Sequence, residues 1–158
     1  NMIGMTALAA STAVSVISLF NVFGRLLAGF MSDKIGRAQT LALSCALCIV
    51  GMFSLYISGQ GDVTTFYIGS AILGLCFGAF MGVFPGFTAD QFGAKNNSVN
   101  FGIMFIGFAV AGYFGPTIMA STANDPKPYA NAFLIAAALN AIGIVLTFVY
   151  RAMKKKTN

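Results

Sequence analysis

Arg25 lies in the stretch NVFGRLLAGF, residues 21–30, among Phe23, Leu26, Leu27 and Phe30. An arginine inside a membrane-crossing helix costs about 2.5–3.5 kcal/mol on insertion scales, so it needs a compensating role. Its guanidinium stays charged at any accessible pH and offers a planar fork of donors that matches a carboxylate. Asn21 precedes it by one helical turn on the same face, where it can orient the fork or touch a ligand. No carboxylate sits in the apolar stretches to neutralise Arg25, so the counter-charge is expected from a bound anion or from outside this chain. The alternative is snorkelling. Asp33 is eight residues further on, about 12 Å at helical rise, and a stretched side chain covers part of that distance.

A second cluster follows: Asp33, Lys34 and Arg37, spaced by Gly29 and Gly36 in GFMSDKIGR. At its plainest this is a charged turn that fixes orientation. Other chemistry lacks its residues. The chain has no His and no Glu, and its aspartates, Asp33, Asp62, Asp90 and Asp125, all lie in connections or at the ends of apolar stretches. A Ser–His–Asp triad, a His-ligated zinc and a paired-glutamate site are therefore not available. Cys45 and Cys48 form C-x-x-C, with Cys76 further on. A redox or metal role needs an accessible thiolate, whereas an i, i+3 pair inside an apolar helix reads as packing surface. The chain is expected to be no enzyme, and no metal or cofactor is expected.

These residues must be carried by membrane-crossing helices. The chain of 158 residues is 58% hydrophobic and 8% charged, against roughly 25% charged residues in soluble domains. Five apolar stretches, 9–31, 39–58, 64–87, 99–120 and 130–151, reach the length of about 20 residues that crosses a hydrocarbon core. They do not alternate as barrel strands do. The expected fold is all-α, a polytopic bundle of five transmembrane helices in the lipid bilayer. Lys34, Arg37, Lys95, Arg151, Lys154, Lys155 and Lys156 fall on one side, and Lys127 on the other. The positive-inside rule places the first side and the C-terminus in the cytoplasm. The terminal lysines read as a membrane anchor, so no nucleic acid is expected as a partner. Asn1 then lies outside, and at least one preceding helix is expected.

Helices in lipid associate by close backbone approach at small residues. Gly74, Gly78, Gly82 and Gly86 repeat every four residues in the third stretch, and Gly102, Gly107, Gly112 and Gly115 mark the fourth. Both series are expected to be packing faces. Pro85 and Pro116 are expected to bend or end their helices. The short connection SGQGDVTT makes stretches two and three antiparallel neighbours, and Pro126 and Pro128 hold the last outer connection extended.

Gly29, Asp33, Lys34, Gly36 and Arg37 match the G-x-x-x-D-[RK]-x-G-[RK] turn of the major facilitator superfamily. Together with residues 83–116, VFPGFTADQFGAKNNSVNFGIMFIGFAVAGYFGP, the sequence resembles the oxalate/formate antiporter family and, more distantly, the monocarboxylate transporters. The resemblance implies helices eight to twelve of a twelve-helix fold: residues 1–158 would be the C-terminal six-helix bundle without its first helix. It implies that Arg25 engages a substrate carboxylate. Asn21 stands where monocarboxylate transporters carry a proton-coupling aspartate. The lysine that oxalate-type members place in helix eleven is absent near Phe108, which favours a monocarboxylate such as formate, lactate or pyruvate over oxalate. Phe84 and Phe108 are expected to wall the substrate cavity. The Asp33 turn would latch against the N-terminal half of the same transporter, and the plasma (inner) membrane is the expected location. The rivals are a facilitator for a neutral or phosphorylated solute, and a non-transporting membrane subunit.

Overall fold

A computed structural model of the chain describes residues 6–58, 62–124 and 129–157. They form five helices: α1 (Ala7–Ile35), α2 (Arg37–Ile57), α3 (Val63–Phe92), α4 (Asn97–Ser121) and α5 (Ala130–Thr157). All five are long and apolar enough to cross a membrane. Most continue past the apolar stretches, since hydrogen bonding, unlike hydropathy, does not end at the membrane boundary. The connection holding Asp125, Pro126, Lys127 and Pro128 lies outside the described residues, as do residues 59–61.

Local chemistry sets the helix ends. The Thr6 hydroxyl accepts from the Ala9 N–H at 3.3 Å, and the Asp62 carboxylate accepts from the Thr65 N–H at 3.1 Å. Each satisfies an N–H that the first turn leaves unpaired. Between α1 and α2 there is a single residue, Gly36, at φ 91°. Only glycine takes that conformation without strain, and it reverses the chain in one step.

Neither Pro85 nor Pro116 ends its helix: α3 and α4 run on through them. A missing N–H is tolerated in a membrane helix when neighbours supply the freed groups. Pro85 removes the donor of the Met81 carbonyl one turn earlier; the Asn97 amide of α4 donates to the carbonyl of Pro85 itself, at 3.3 Å, and ties the two helices there.

α3 is the central element, packed against α1 and α2, while α5 packs on α2. The α1–α3 contact is made by bare backbone. A Cβ added to Gly74 would stand 2.6 Å from the Ile17 carbonyl oxygen, and one on Gly82 would stand 2.9 Å from that of Arg25. Between them, a Cβ on Gly78 would collide with the carbonyl of Asn21, and one on Gly24 of α1 with that of Leu75. Steps of four on both chains, rising together, mean that α1 and α3 run parallel and in register. Beyond them Ala28, Leu41, Ala79 and Val83 form a buried cluster, flanked by Phe80, Phe84 and Phe87.

α4 departs from expectation. None of its residues is buried, and a Cβ added at Gly102, Gly107, Gly112 or Gly115 meets nothing within 4 Å. Gly107 and Gly112 therefore do not form a packing face within this chain. Aromatic side chains hold α4 off α3 instead: Phe77 and Phe108 approach at 6.0 Å between ring centroids. A cleft of about 390 Å³ remains between the two helices.

Candidate functional site

Arg25 is fixed at its root and open at its tip. Its backbone lies against Gly82, and its Nε donates to Asn21 Oδ1 at 3.1 Å. Asn21 thus holds the guanidinium plane through one nitrogen. The two terminal nitrogens make no hydrogen bond to a described residue, and both ion pairs among the described residues involve Arg37, not Arg25. The side chain is exposed on the bundle surface. What remains is a fork of donors able to receive a carboxylate in bidentate fashion.

A polar line leads along α1 to this residue. Ser11, Ser15, Ser18 and Arg25 follow one another at spacings of four, three and seven, which keeps them on one helix face. All four are exposed, and the three hydroxyls donate to carbonyls of their own helix, at 2.8, 3.2 and 2.9 Å. Such a face suits water or a polar partner better than lipid tails. The serines were missed in the sequence because single hydroxyls scarcely lower the apolarity of a helix; their spacing relative to Arg25 was the available signal.

The two phenylalanines part company with Arg25. Phe84 is two residues beyond Gly82, about 200° around the helix from the α1 contact. It stacks with Phe80 at 6.1 Å and packs beside the buried cluster. It also lines the α3–α4 cleft together with Phe108, on a different side of α3 from the Arg25 contact. Phe108 is exposed and lines the α3–α4 cleft with Phe77, Met81 and Phe105. Neither Arg25 nor Asn21 lines that cleft, and no charged side chain does.

The charged turn closes within the chain. Arg37 Nε meets Asp90 Oδ2 of α3 at 2.5 Å, and its Nη2 lies 3.9 Å from Asp33 Oδ1. Gly86 makes this possible, since a Cβ there would occupy the space of the Arg37 guanidinium. Gly86 thus seats a side chain, not a helix backbone. Asp90 escaped the sequence reading as a site residue, although its place at the end of the third apolar stretch put it level with Arg37. Lys34 instead sits over the Phe30 ring of its own helix, 4.3 Å from the centroid. Asp33 is 72% exposed at its side chain, while Gly29 has no neighbour within 4 Å of an added Cβ. Cys45, Cys48 and Cys76 are free thiols, all buried.

A parallel glycine-mediated helix pair, five membrane-length helices and a one-residue glycine turn flanked by charges describe a polytopic helical membrane bundle. The model of the Major Facilitator Superfamily matches residues 2–158, and the chain belongs to that family. It is accordingly an integral membrane protein of a transporter family, not an enzyme. It is 32% identical to the oxalate:formate antiporter of Oxalobacter formigenes over 96% of this chain and 36% of that protein. It is 34% identical to the uncharacterized MFS-type transporter YhjX of Escherichia coli K12, over 67% of this chain and 26% of that protein. To the riboflavin transporter MCH5 of Saccharomyces cerevisiae it is 23% identical, over 93% and 29% respectively. The chain thus spans between about a quarter and about a third of the length of these relatives.

Proposed function

We propose that the chain supplies helices eight to twelve of a secondary transporter for small organic anions, with Arg25 as the residue that receives the substrate carboxylate. The observation that carries this reading is a guanidinium oriented by Asn21 and left without an acidic partner among the described residues. A carboxylate arriving from water gives up hydration and regains two charge-assisted hydrogen bonds from one planar group. Similarity to an oxalate:formate antiporter supports an anion of this class.

A monocarboxylate such as formate, lactate or pyruvate fits better than oxalate. Arg25 offers one fork, and no cation lines the α3–α4 cleft that holds Phe108. Asn21 carries no proton, so anion exchange suits the pair better than proton symport. The N-terminal half of the same transporter would complete the cavity. The Asp33–Arg37 turn would gate the cytoplasmic side of a plasma membrane protein whose C-terminus is cytoplasmic. A neutral solute is the second reading, supported by the similarity to a riboflavin transporter.

Ligand-dependent thermal stabilisation separates the two. Formate and lactate should raise the Tm of the intact protein, formamide should not, and Arg25→Gln should abolish the anion effect. Equal stabilisation of wild type and Arg25→Gln would overturn the assignment.

A further inference from the structure

The end of the bundle that carries Arg37 holds a cleft of about 290 Å³ between the start of α2, the end of α3 and the last turns of α5. Three cations line it: Arg37, Arg151 and Lys154, with Asp90, Gln39 and Tyr150 between them. Their states differ. Arg37 is engaged by Asp90 and Asp33. Arg151 and Lys154 pair with no acid among the described residues. With the Gln39 amide turned to the orientation that satisfies both of its ends, its nitrogen donates to the Ile35 carbonyl at 2.6 Å and its oxygen accepts from Arg151 Nη2 at 2.8 Å. A neutral amide therefore aims the Arg151 guanidinium without cancelling its charge. Phe87 and Tyr150, edge to face at 5.4 Å, line the same cleft as an apolar surface.

We propose that this cleft is a binding site for a phosphate group, with Arg151 and Lys154 as its ligands. Two uncompensated cations on successive turns of one helix face attract a multiply charged or strongly accepting anion, and tetrahedral phosphate presents oxygens to both at once. The cleft holds about ten water volumes, room for a phosphate with part of an attached headgroup. Its position at the ends of membrane-length helices puts it level with lipid headgroups, and basic pockets between helices at that depth select anionic lipids. The phosphate can thus belong to an anionic lipid or be free in solution. Arg25 takes no part, so the proposal stands apart from the identity of the transported solute.

The test uses the intact protein in nanodiscs of phosphatidylcholine alone or with phosphatidylglycerol, read by native mass spectrometry for retained lipid and by Tm. Wild type should retain phosphatidylglycerol, and R151Q/K154Q should retain it on the order of twenty-fold less, since each surface cation contributes about a factor of five. R151K/K154R, which keeps both charges, should retain most of it. In phosphatidylcholine discs, inorganic phosphate that raises the Tm of wild type but not of R151Q/K154Q would identify the free ion as the occupant. Phosphatidylglycerol retention unchanged by R151Q/K154Q, with no phosphate effect on Tm, would overturn the proposal. If R151Q/K154Q fails to fold, K154Q alone carries the same comparison.

Discussion

The Cα of Gly82 faces the backbone of Arg25 so closely that a methyl group on the glycine would stand 2.9 Å from the arginine carbonyl oxygen. The residue proposed to receive the substrate is thereby pinned to the central helix of the bundle, with the position of its Cα set by a glycine on another element. Movement of α3 carries Arg25 with it.

Gly82→Ala and Gly78→Ala should therefore act on Arg25 without touching its side chain. Gly78 is the tighter site, because an added Cβ overlaps the Asn21 carbonyl. Overpacking of this kind costs about 1–3 kcal/mol. Thermal unfolding should show a larger loss for Gly78→Ala than for Gly82→Ala, and both should weaken anion-dependent stabilisation. Equal Tm values for the two variants and wild type would show that α1 and α3 are not in this contact.

The Arg37–Asp90 pair joins the α1–α2 turn to the end of α3, but its side chains are 28% and 51% exposed. Exposed pairs contribute about 0.2–1 kcal/mol and are screened by salt. A double-mutant cycle with Arg37→Gln and Asp90→Asn should give a coupling in that range, smaller at high ionic strength. A coupling above this range would mean that the pair is sheltered from solvent by another part of the protein.

Asn21→Asp should neutralise the anion site from within. The new carboxylate would sit where the amide oxygen now accepts from Arg25 Nε at 3.1 Å, and when ionised it would neutralise the guanidinium internally. Anion affinity should therefore fall at neutral pH. Formate-dependent Tm shifts at neutral pH should be smaller in Asn21→Asp than in wild type, and equal shifts would show that this position does not face the bound anion.

Asp62 supplies a natural pH effect at the opposite end of the bundle. Hydrogen bonds from Thr65, side chain first and backbone second, hold its carboxyl below the usual carboxylate range. A depressed pKa means that the cap contributes above the unfolded pKa and loses its contribution as pH falls through the folded one. Acidification should lower the Tm of wild type more than that of Asp62→Asn, which caps α3 without titrating.

How much of this was legible beforehand depended on the physical signal. Hydropathy alone located five helices, because membrane length imposes long apolar runs. The strict four-residue spacing of Gly74, Gly78 and Gly82 pointed to a close helix contact, and backbone carbonyls of α1 lie against each. Gly107 and Gly112 are spaced by five, not four, and meet no neighbour within 4 Å of an added Cβ in this chain, where Phe77 and Phe108 pack between the helices. Glycine spacing permits approach but does not supply a partner. Phe84 and Phe108 do line one cleft, but the separation of that cleft from Arg25 was not legible, because aromatic residues in an apolar helix show no sequence asymmetry between one helix face and another. Asp90 was visible as a charge, yet its bond to Arg37 crosses elements 53 residues apart, a separation that periodicity does not encode.

Uptake of labelled formate by proteoliposomes of the intact protein, compared among wild type, Arg25→Lys and Arg25→Ala, tests the central claim most directly. Arg25→Lys keeps the charge and loses the bidentate fork, so uptake should fall well below wild type, and Arg25→Ala should abolish it. Wild-type uptake by Arg25→Ala would contradict the claim that this guanidinium receives the transported carboxylate.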